Sequence, residues 1–367
     1  MTVPHVAIAV LCGTTGGPAT YGRKLVQALQ ATGEAKLSVL TDRPDSFAHL
    51  PANSNCDIVN VPMHGGIDRL RWQHWALPNA LRKLRPDVYH DTKNALPWRV
   101  RYPSVVTVHD LAYHTVPESF GFASRHFLLQ ATRSAVRRAK IIVVPSQATA
   151  NDLSKFYPTS AERTQVVPHG IDAAPAHVPE ISEQDAQRLG LPRNYVLHVG
   201  TIQARKNVDL MIAAVRQLRA NGDDVRAVIV GRRGWLSERT FDEINRDDTA
   251  IWLDHLKEQD LASCYARATA FVSPSAYEGF GFSVADALAA GVPTIISNRS
   301  SLPELCGDAA IRLTAISTEA IVDALKGLLN NRSERIKFAE RGRERAAQFS
   351  WQACAAGHLN AYRLALQ

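Results

Sequence analysis

The chain has 367 residues, 46% of them hydrophobic and 21% charged, a globular composition that excludes a disordered, collagen-like or disulfide-stapled protein. Its length exceeds what one core of up to about 200 residues supports, so two domains are expected. The net charge of +7 is carried by residues 1–175, with 19 basic and 12 acidic residues against 23 of each beyond; an anionic partner is expected on the N-terminal half, be it a phosphorylated substrate, a membrane surface or nucleic acid.

In chain order, short β-branched runs recur, each closed by Gly, Pro, Ser, His or Asp: 6–11, 36–40, 57–61, 87–90, 104–110, 141–146 and 164–170, then 195–200, 226–231, 250–254, 269–275 and 292–297. Continuous apolar strands alternating with helical stretches mark parallel sheets covered on both faces. Between the two series, 173–194 is rich in Pro, Ala and charge and reads as a linker with a lead-in helix. The expected fold is α/β: two doubly wound domains, 1–175 and 176–351, with ligands at the carboxyl ends of the strands. The last stretch, 352–367, is expected to be helical, with Ala356, Leu359, Tyr362 and Leu366 on its apolar side.

The five cysteines (Cys12, Cys56, Cys264, Cys306 and Cys354) are odd in number and far apart, so neither a disulfide framework nor a zinc site is expected. The start lacks a basic leader, and no run approaches 18 apolar residues, as a spanning helix requires. A cytoplasmic protein is expected.

Four segments carry candidate chemistry. CGTTGGPATYGRKL places Gly13, Gly16, Gly17 and Gly22 between a strand and a helix, which suits backbone amides approaching a phosphate and equally a tight turn needing positive φ. His109 and Asp110 close an apolar strand; the histidine faces a crevice or is satisfied by nearby backbone, and Asp110 reads as a loop-holding residue. Arg205 and Lys206 open a helix after VGTIQ. Cations there oppose the helix dipole, and a fork beside a point charge suits a pyrophosphate; two solvated surface charges are the alternative. In SPSAYEGFGFSVADALAAG, Glu278 precedes Gly279, Phe280 and Gly281, and Asp286 follows eight positions later. Carboxylates so placed accept hydrogen bonds from hydroxyls several ångströms apart, as sugars present them.

Across nearly its whole length the chain resembles the retaining family-4 nucleotide-sugar glycosyltransferases. The resemblance rests on GTTGGPATYGR, VHDLAYHTVPESF, VVPSQATANDL, VVPHGID, VGTIQARKN, SAYEGFGFSVADALAAGVPTIISNRSSLPE and the late FSW. It implies the GT-B fold, with two Rossmann-like domains facing across a cleft. The N-terminal domain would bind the acceptor and be rejoined by the helix 352–367, and the C-terminal domain would bind the donor. Carried over by position, His109 would lie beside the donor sugar at the reacting carbon, and Arg205 and Lys206 would grip the diphosphate. Glu278 would bind sugar hydroxyls with help from Gly279, Phe280 and Gly281, Asp286 would hold the ribose, and Gly16 and Gly17 would admit the diphosphate. The family usually has Glu at the position of Asp286, and many members have Arg where this chain has Thr201, so the diphosphate rests chiefly on Lys206.

With two cations at this loop and no DxD-type motif, neither a cofactor nor a metal is expected. The resemblance to bacterial mannosyltransferases of polysaccharide or lipid-linked glycan assembly implies mannose from GDP-mannose as first donor, with rhamnose or glucose from dTDP- or UDP-sugars as alternatives. It also implies a glycan or lipid-linked saccharide as acceptor. An epimerase is disfavoured by the EGFG loop. A nucleic-acid role has only the pI of about 9.2 behind it and no recognition motif, so no nucleic acid is expected. The basic, Trp-bearing stretch 65–86 and the basic 124–140 read in two ways: helices packing aromatics inward, or helices lying on an anionic membrane. The second reading places the protein peripherally on the inner face of the plasma membrane.

Overall fold

A computed structural model of the chain describes residues 3–11, 16–51, 55–62, 71–172 and 183–367. It divides into two compact units, one of Met1–His114, Phe122–Gly170 and Phe349–Gln367, the other of Thr115–Gly121 and Ile171–Gln348.

The first unit is built on a parallel seven-stranded sheet: β1 (His5–Val10), β2 (Lys36–Thr41), β3 (Cys56–Asn60), β4 (Val88–Asp91), β5 (Ser104–Thr107), β6 (Ile141–Val144) and β7 (Thr164–Val166). Their spatial order is β3-β2-β1-β4-β5-β6-β7. β4, β5 and β6 are buried along their whole length, as expected of strands covered on both faces. The helix Gly17–Thr32 follows β1, with Pro at its start and Gly33 in the left-handed region at its end, and it buries Tyr21, Leu25, Val26 and Leu29.

Gly22 lies inside this helix, not in the glycine loop. A Cβ there would stand 2.5 Å from Val10 Cγ1, so this glycine lets the helix lie on β1 and has a packing role. The C-terminal helix Trp351–Ala365 also belongs to this unit. Ser350 caps it, its hydroxyl accepting from the Ala353 amide at 3.1 Å. Cys354, Ala355, His358, Leu359, Ala361, Tyr362 and Ala365 are its buried residues. Ala356 and Leu366, expected on the apolar side, are exposed: the buried stripe is set by two polar rings, His358 and Tyr362, which a purely apolar pattern does not register.

The second unit holds a parallel six-stranded sheet: β8 (Tyr195–Val199), β9 (Arg226–Val230), β10 (Ala250–Leu253), β11 (Ala270–Ser273), β12 (Thr294–Ser297) and β13 (Ala310–Leu313). The order is β10-β9-β8-β11-β12-β13. β13 is absent from the sequence reading. It is an edge strand whose Arg312 breaks the apolar run. Val196, Ile229, Val272 and Ile295 of the sheet pack with Met211, Ile212, Val215 and Leu218 of the helix Val208–Ala220, each full burial stabilising by about 1.5–3 kcal/mol. Thr115–Gly121 joins this unit, where the Trp235 indole donates to the Ser119 carbonyl at 2.8 Å and its ring packs on Phe120. A contiguous 1–175 division does not contain this excursion. Of the 173–194 stretch, Glu183–Arg188 is helical and 173–182 lies outside the described residues.

In both sheets the strand order reverses beside the unit's first strand, between β1 and β4 and between β8 and β11. Loops leaving the carboxyl ends of strands at such a reversal diverge and leave room for a ligand. The loops after β8 and β11 carry Arg205, Lys206 and Glu278; those after β1, β4 and β5 carry Gly16, Asn94 and His109.

Candidate active site

In the second unit, β8 ends at Val199 and Gly200 turns the chain at φ +145. Ala204–Lys206 forms a single 3-10 turn, and Asn207, left-handed at φ 51, starts the next helix. Asn207 Nδ2 donates to the Pro274 carbonyl at 2.9 Å, and the Ala276 amide donates to the Arg205 carbonyl at 2.8 Å, tying this loop to the one after β11. Arg205 Nη1 donates to the Tyr277 carbonyl at 2.5 Å and stands 3.3 Å from Glu278 Oε2. Lys206 Nζ donates to Glu278 Oε1. The three charges form one cluster in which Lys206 and Glu278 are each 8% exposed, so the solvated-surface reading of the two cations does not hold.

Burial by itself pushes the Glu278 carboxyl up, but Lys206 and then Arg205 outweigh it and hold the group at about 2. Beside them His198 is buried, its Nδ1–H donating to the Val272 carbonyl at 2.9 Å. Burial holds this imidazole down at about 4, so it stays neutral and Glu278 is the anion that balances the cations.

Serine side chains pin the EGFG loop. The Glu278 amide donates to Ser300 Oγ at 2.8 Å, while the Ser301 hydroxyl lies 2.9 Å from the Glu278 carbonyl and 3.1 Å from that of Phe280. Ser300 is itself left-handed, at φ 50. Gly281, at φ +101, precedes the helix Phe282–Ala290, and a Cβ on it would meet Leu302 Cδ2 at 2.8 Å. Phe280 is buried, and Gly279 stands between it and Glu278. Asp286 is on the exposed face of this helix, opposite the buried Val284, Ala285, Ala287 and Leu288; its exposure sets it apart from the buried triad. Ser300 and Ser301 escape the sequence reading because nothing local signals a bond across more than 20 positions.

In the first unit, Gly16 (φ 92) precedes the helix Gly17–Thr32, and the space above its Cα is open. Positive φ and free access both hold there, so neither reading of the loop is set aside; Gly13 lies outside the described residues. His109 stands just beyond the end of β5. Its amide donates to Asn94 Oδ1 at 3.0 Å, and its Nε2 lies 2.7 Å from the Thr92 carbonyl. A carbonyl can only accept, so Nε2 carries the proton and Nδ1 the lone pair. Burial holds the ring at about 4, hence neutral. Asp110 accepts the Ala112 amide at 3.1 Å, the loop-holding role expected of it. Asn94 is a further residue the sequence does not single out.

Tyr21 packs edge-on against His109, ring centroids 4.9 Å apart, and stands at the middle of a directional chain. His358 Nδ1 lies 2.8 Å from the Cys354 carbonyl and must donate to it, so its Nε2 accepts from the Tyr21 hydroxyl at 2.7 Å. Tyr21 therefore accepts from Thr107 at 2.9 Å, and Thr107 accepts from His90 Nε2 at 2.9 Å. His90 Nδ1 in turn accepts from Tyr362 at 2.9 Å. With both histidines neutral, one carbonyl fixes every proton in the series. Burial lowers His358 to about 4 and His90 and His169 well below their usual value.

Of the basic stretches, 63–70 lies outside the described residues. In the described part Leu77 and Leu81 are buried while Arg71, Arg82, Lys83 and Arg85 are exposed. Trp75 is 65% exposed, with the Arg99 guanidinium 4.8 Å above its ring; the expectation that the aromatics pack inward fails at this tryptophan. In the helix Phe122–Arg138, Phe122 and Phe127 are exposed, and the same helix carries Arg125, Arg133, Arg137 and Arg138. Among the described residues no helix is long and apolar enough to cross a membrane, and no group of three His, Cys, Asp or Glu side chains is placed to hold a metal.

Residues 15–174 match the Glycosyltransferase Family 4 pattern, and residues 181–345 match that of Glycosyl transferases group 1. Over 303 residues, 80% of this chain, the sequence is 30% identical to O-antigen chain mannosyltransferase B of Escherichia coli, 77% of which is covered. It is 27% identical over 244 residues to the MMP alpha-(1->4)-mannosyltransferase of Mycolicibacterium hassiacum, covering 65% of this chain and 57% of the relative. Among solved structures, Anabaena Alr3699/HepE in complex with UDP-glucose superposes with a TM-score of 0.77 at 17% identity, covering 97% of this chain and 98% of that one. WaaG, a glycosyltransferase involved in lipopolysaccharide biosynthesis, gives 0.73 at 20% identity over 97% and 98%. The chain belongs to the group 1, family 4 glycosyltransferases. It is a glycosyltransferase of the GT-B fold.

The neutral histidines make the first unit acid-sensitive. A histidine whose folded value is depressed contributes its full stability above about pH 6.5 and loses it as the pH falls toward the folded value. For His358 alone the loss between pH 6.5 and 4 should approach about 3 kcal/mol, and protonation of His90 adds to it. Urea unfolding at steps from pH 7 to 4.5 should show the midpoint falling steadily; a midpoint constant over that range contradicts the neutral chain.

Proposed function

We propose that this enzyme transfers mannose from GDP-mannose, with retention at the anomeric carbon and without a metal ion, to a growing glycan or lipid-linked saccharide. The observation that carries the proposal is the buried Arg205–Lys206–Glu278 cluster at the β8/β11 reversal, in a chain whose relatives include two mannosyltransferases. A nucleotide sugar breaks at the bond between the anomeric carbon and the diphosphate, and charge develops on the departing phosphate. Arg205 and Lys206 are preorganised to stabilise that charge, with the amides of Gly279–Gly281 at the start of the following helix adding to the field. Glu278 accepts hydroxyls of the donor sugar and Asp286 those of the ribose. By the resemblance to the family, Gly16 and Gly17 are assigned to the diphosphate and His109, a neutral imidazole, to the reacting carbon. With retention, the departing phosphate takes the proton of the acceptor hydroxyl. Glucosyl transfer from UDP-glucose is the second reading, favoured by the fold likeness to a protein solved with that donor.

The acceptor belongs to the first unit, whose surplus of cations suits an anionic glycan or a lipid diphosphate. The exposed Trp75, with the Arg99 guanidinium over its ring, and the exposed Phe122 at the start of an arginine-bearing helix suit peripheral binding to the inner face of the plasma membrane, since aromatic rings together with cations favour an anionic bilayer interface. No nucleic acid takes part.

Thermal shift against GDP, UDP, ADP and dTDP should show GDP stabilising most, by about 2.7 kcal/mol at one hundred times its dissociation constant. A UDP response without a GDP response moves the donor assignment to the second reading, and no response to any of the four contradicts nucleotide-sugar transfer. Pelleting with anionic vesicles should retain the protein at low salt and release it at high salt, and loss of Trp75 and Phe122 to Ala should weaken retention; salt-independent absence of binding removes the membrane partner.

A further inference from the structure

The two cations assigned to the diphosphate already have an anion within the protein. Glu278 Oε1 receives the Lys206 ammonium, and Oε2 stands 3.3 Å from the Arg205 guanidinium. The cluster carries net +1, is almost closed to solvent, and has neutral His198 beside it. A diphosphate cannot take the full field of Arg205 and Lys206 while the carboxylate keeps it. Nor can the carboxylate be left in this buried place without hydrogen-bond donors, because an uncompensated buried charge is strongly unfavourable.

We propose that Glu278 is the resident counter-ion of the diphosphate site and exchanges places with the substrate. The incoming diphosphate takes Lys206 and Arg205, and the released carboxylate is satisfied by hydroxyls of the donor hexose. This rests on the nucleotide-sugar reading above. It adds an asymmetry between substrate and product: the complete donor supplies both the anion for the cations and the donors for Glu278, whereas the nucleoside diphosphate left after transfer supplies only the anion. Once the hexose has gone, Glu278 competes again for Lys206 and weakens the hold on the leaving nucleotide. One side chain thereby serves sugar recognition and product release.

The test separates the two ligands. By calorimetry, Glu278→Gln should bind inorganic pyrophosphate and the nucleoside diphosphate that stabilises the wild type at least about tenfold more tightly than wild type, since a negative charge a few ångströms from the phosphates is gone. Its affinity for the intact nucleotide sugar should rise less or fall. Glu278→Asp, which keeps the charge, should stay close to wild type toward pyrophosphate. Should Glu278→Gln fail to fold with its surplus buried cations, the balanced pair Lys206→Met and Lys206→Met/Glu278→Gln decides. The second substitution should then strengthen pyrophosphate binding through Arg205. Equal or weaker binding of pyrophosphate in Glu278→Gln, or no gain in the balanced pair, overturns the exchange and leaves nucleotide-sugar transfer standing. A folded wild type that binds neither pyrophosphate nor any nucleoside diphosphate overturns both.

Discussion

The second unit turns on a buried carboxylate held between two cations. Glu278, Lys206 and Arg205 come from loops 72 positions apart along the chain, and their charges need one another: removing either partner of a buried pair typically costs about 3–5 kcal/mol. That need explains the local construction. Asn207 takes a left-handed conformation directly after the cations and donates to the Pro274 carbonyl, Ser300 takes one beside the Glu278 amide, and Ser301 ties down the carbonyls of Glu278 and Phe280. A loop bearing opposed charges would otherwise open to water. The parallel sheet supplies the place, because the crossovers that follow the neighbouring strands β8 and β11 leave in opposite directions.

The first unit solves a related problem without charge. Its polar core, from Tyr362 through His90, Thr107 and Tyr21 to His358, is satisfied link by link and ends on a main-chain carbonyl. Such a chain fixes the C-terminal helix against β4, β5 and the first helix more specifically than apolar contact alone, since every member must be in place for the others to be satisfied. Glycines set the distances: Cβ atoms at Gly170 and Gly357 would stand 2.4 and 2.6 Å from Trp351 and Val167.

Much of this was legible in the sequence where the signal is local. Buried parallel strands announce themselves as uninterrupted aliphatic runs, and motif order points to the family through short stretches such as VGTIQARKN and SAYEGFGF. β13 was not legible, because an edge strand with an arginine in it looks like any short polar segment. Gly22 follows the loop glycines closely in sequence, yet its reason is the approach of a helix to Val10. An apolar pattern does not find the stripe of the last helix, whose buried face includes a histidine and a tyrosine and leaves Ala356 and Leu366 exposed. The pairing of Glu278 with Lys206 and Arg205, and the bracing of His109 by Asn94 and Thr92, depend on strand order, which no local pattern contains. The charge asymmetry does follow from composition alone: the basic surplus lies in the half that does not hold the cation pair.

The most direct test of the account is release of nucleoside diphosphate from GDP-mannose and UDP-glucose in excess EDTA, compared between the wild type and Lys206→Ala. The account predicts turnover of one of these donors by the wild type under chelation and a fall of at least about a hundredfold in Lys206→Ala, since loss of one preorganised charge at the departing group typically costs that much. Equal turnover by the two proteins, or activity in the wild type only after a divalent metal is restored, would contradict it.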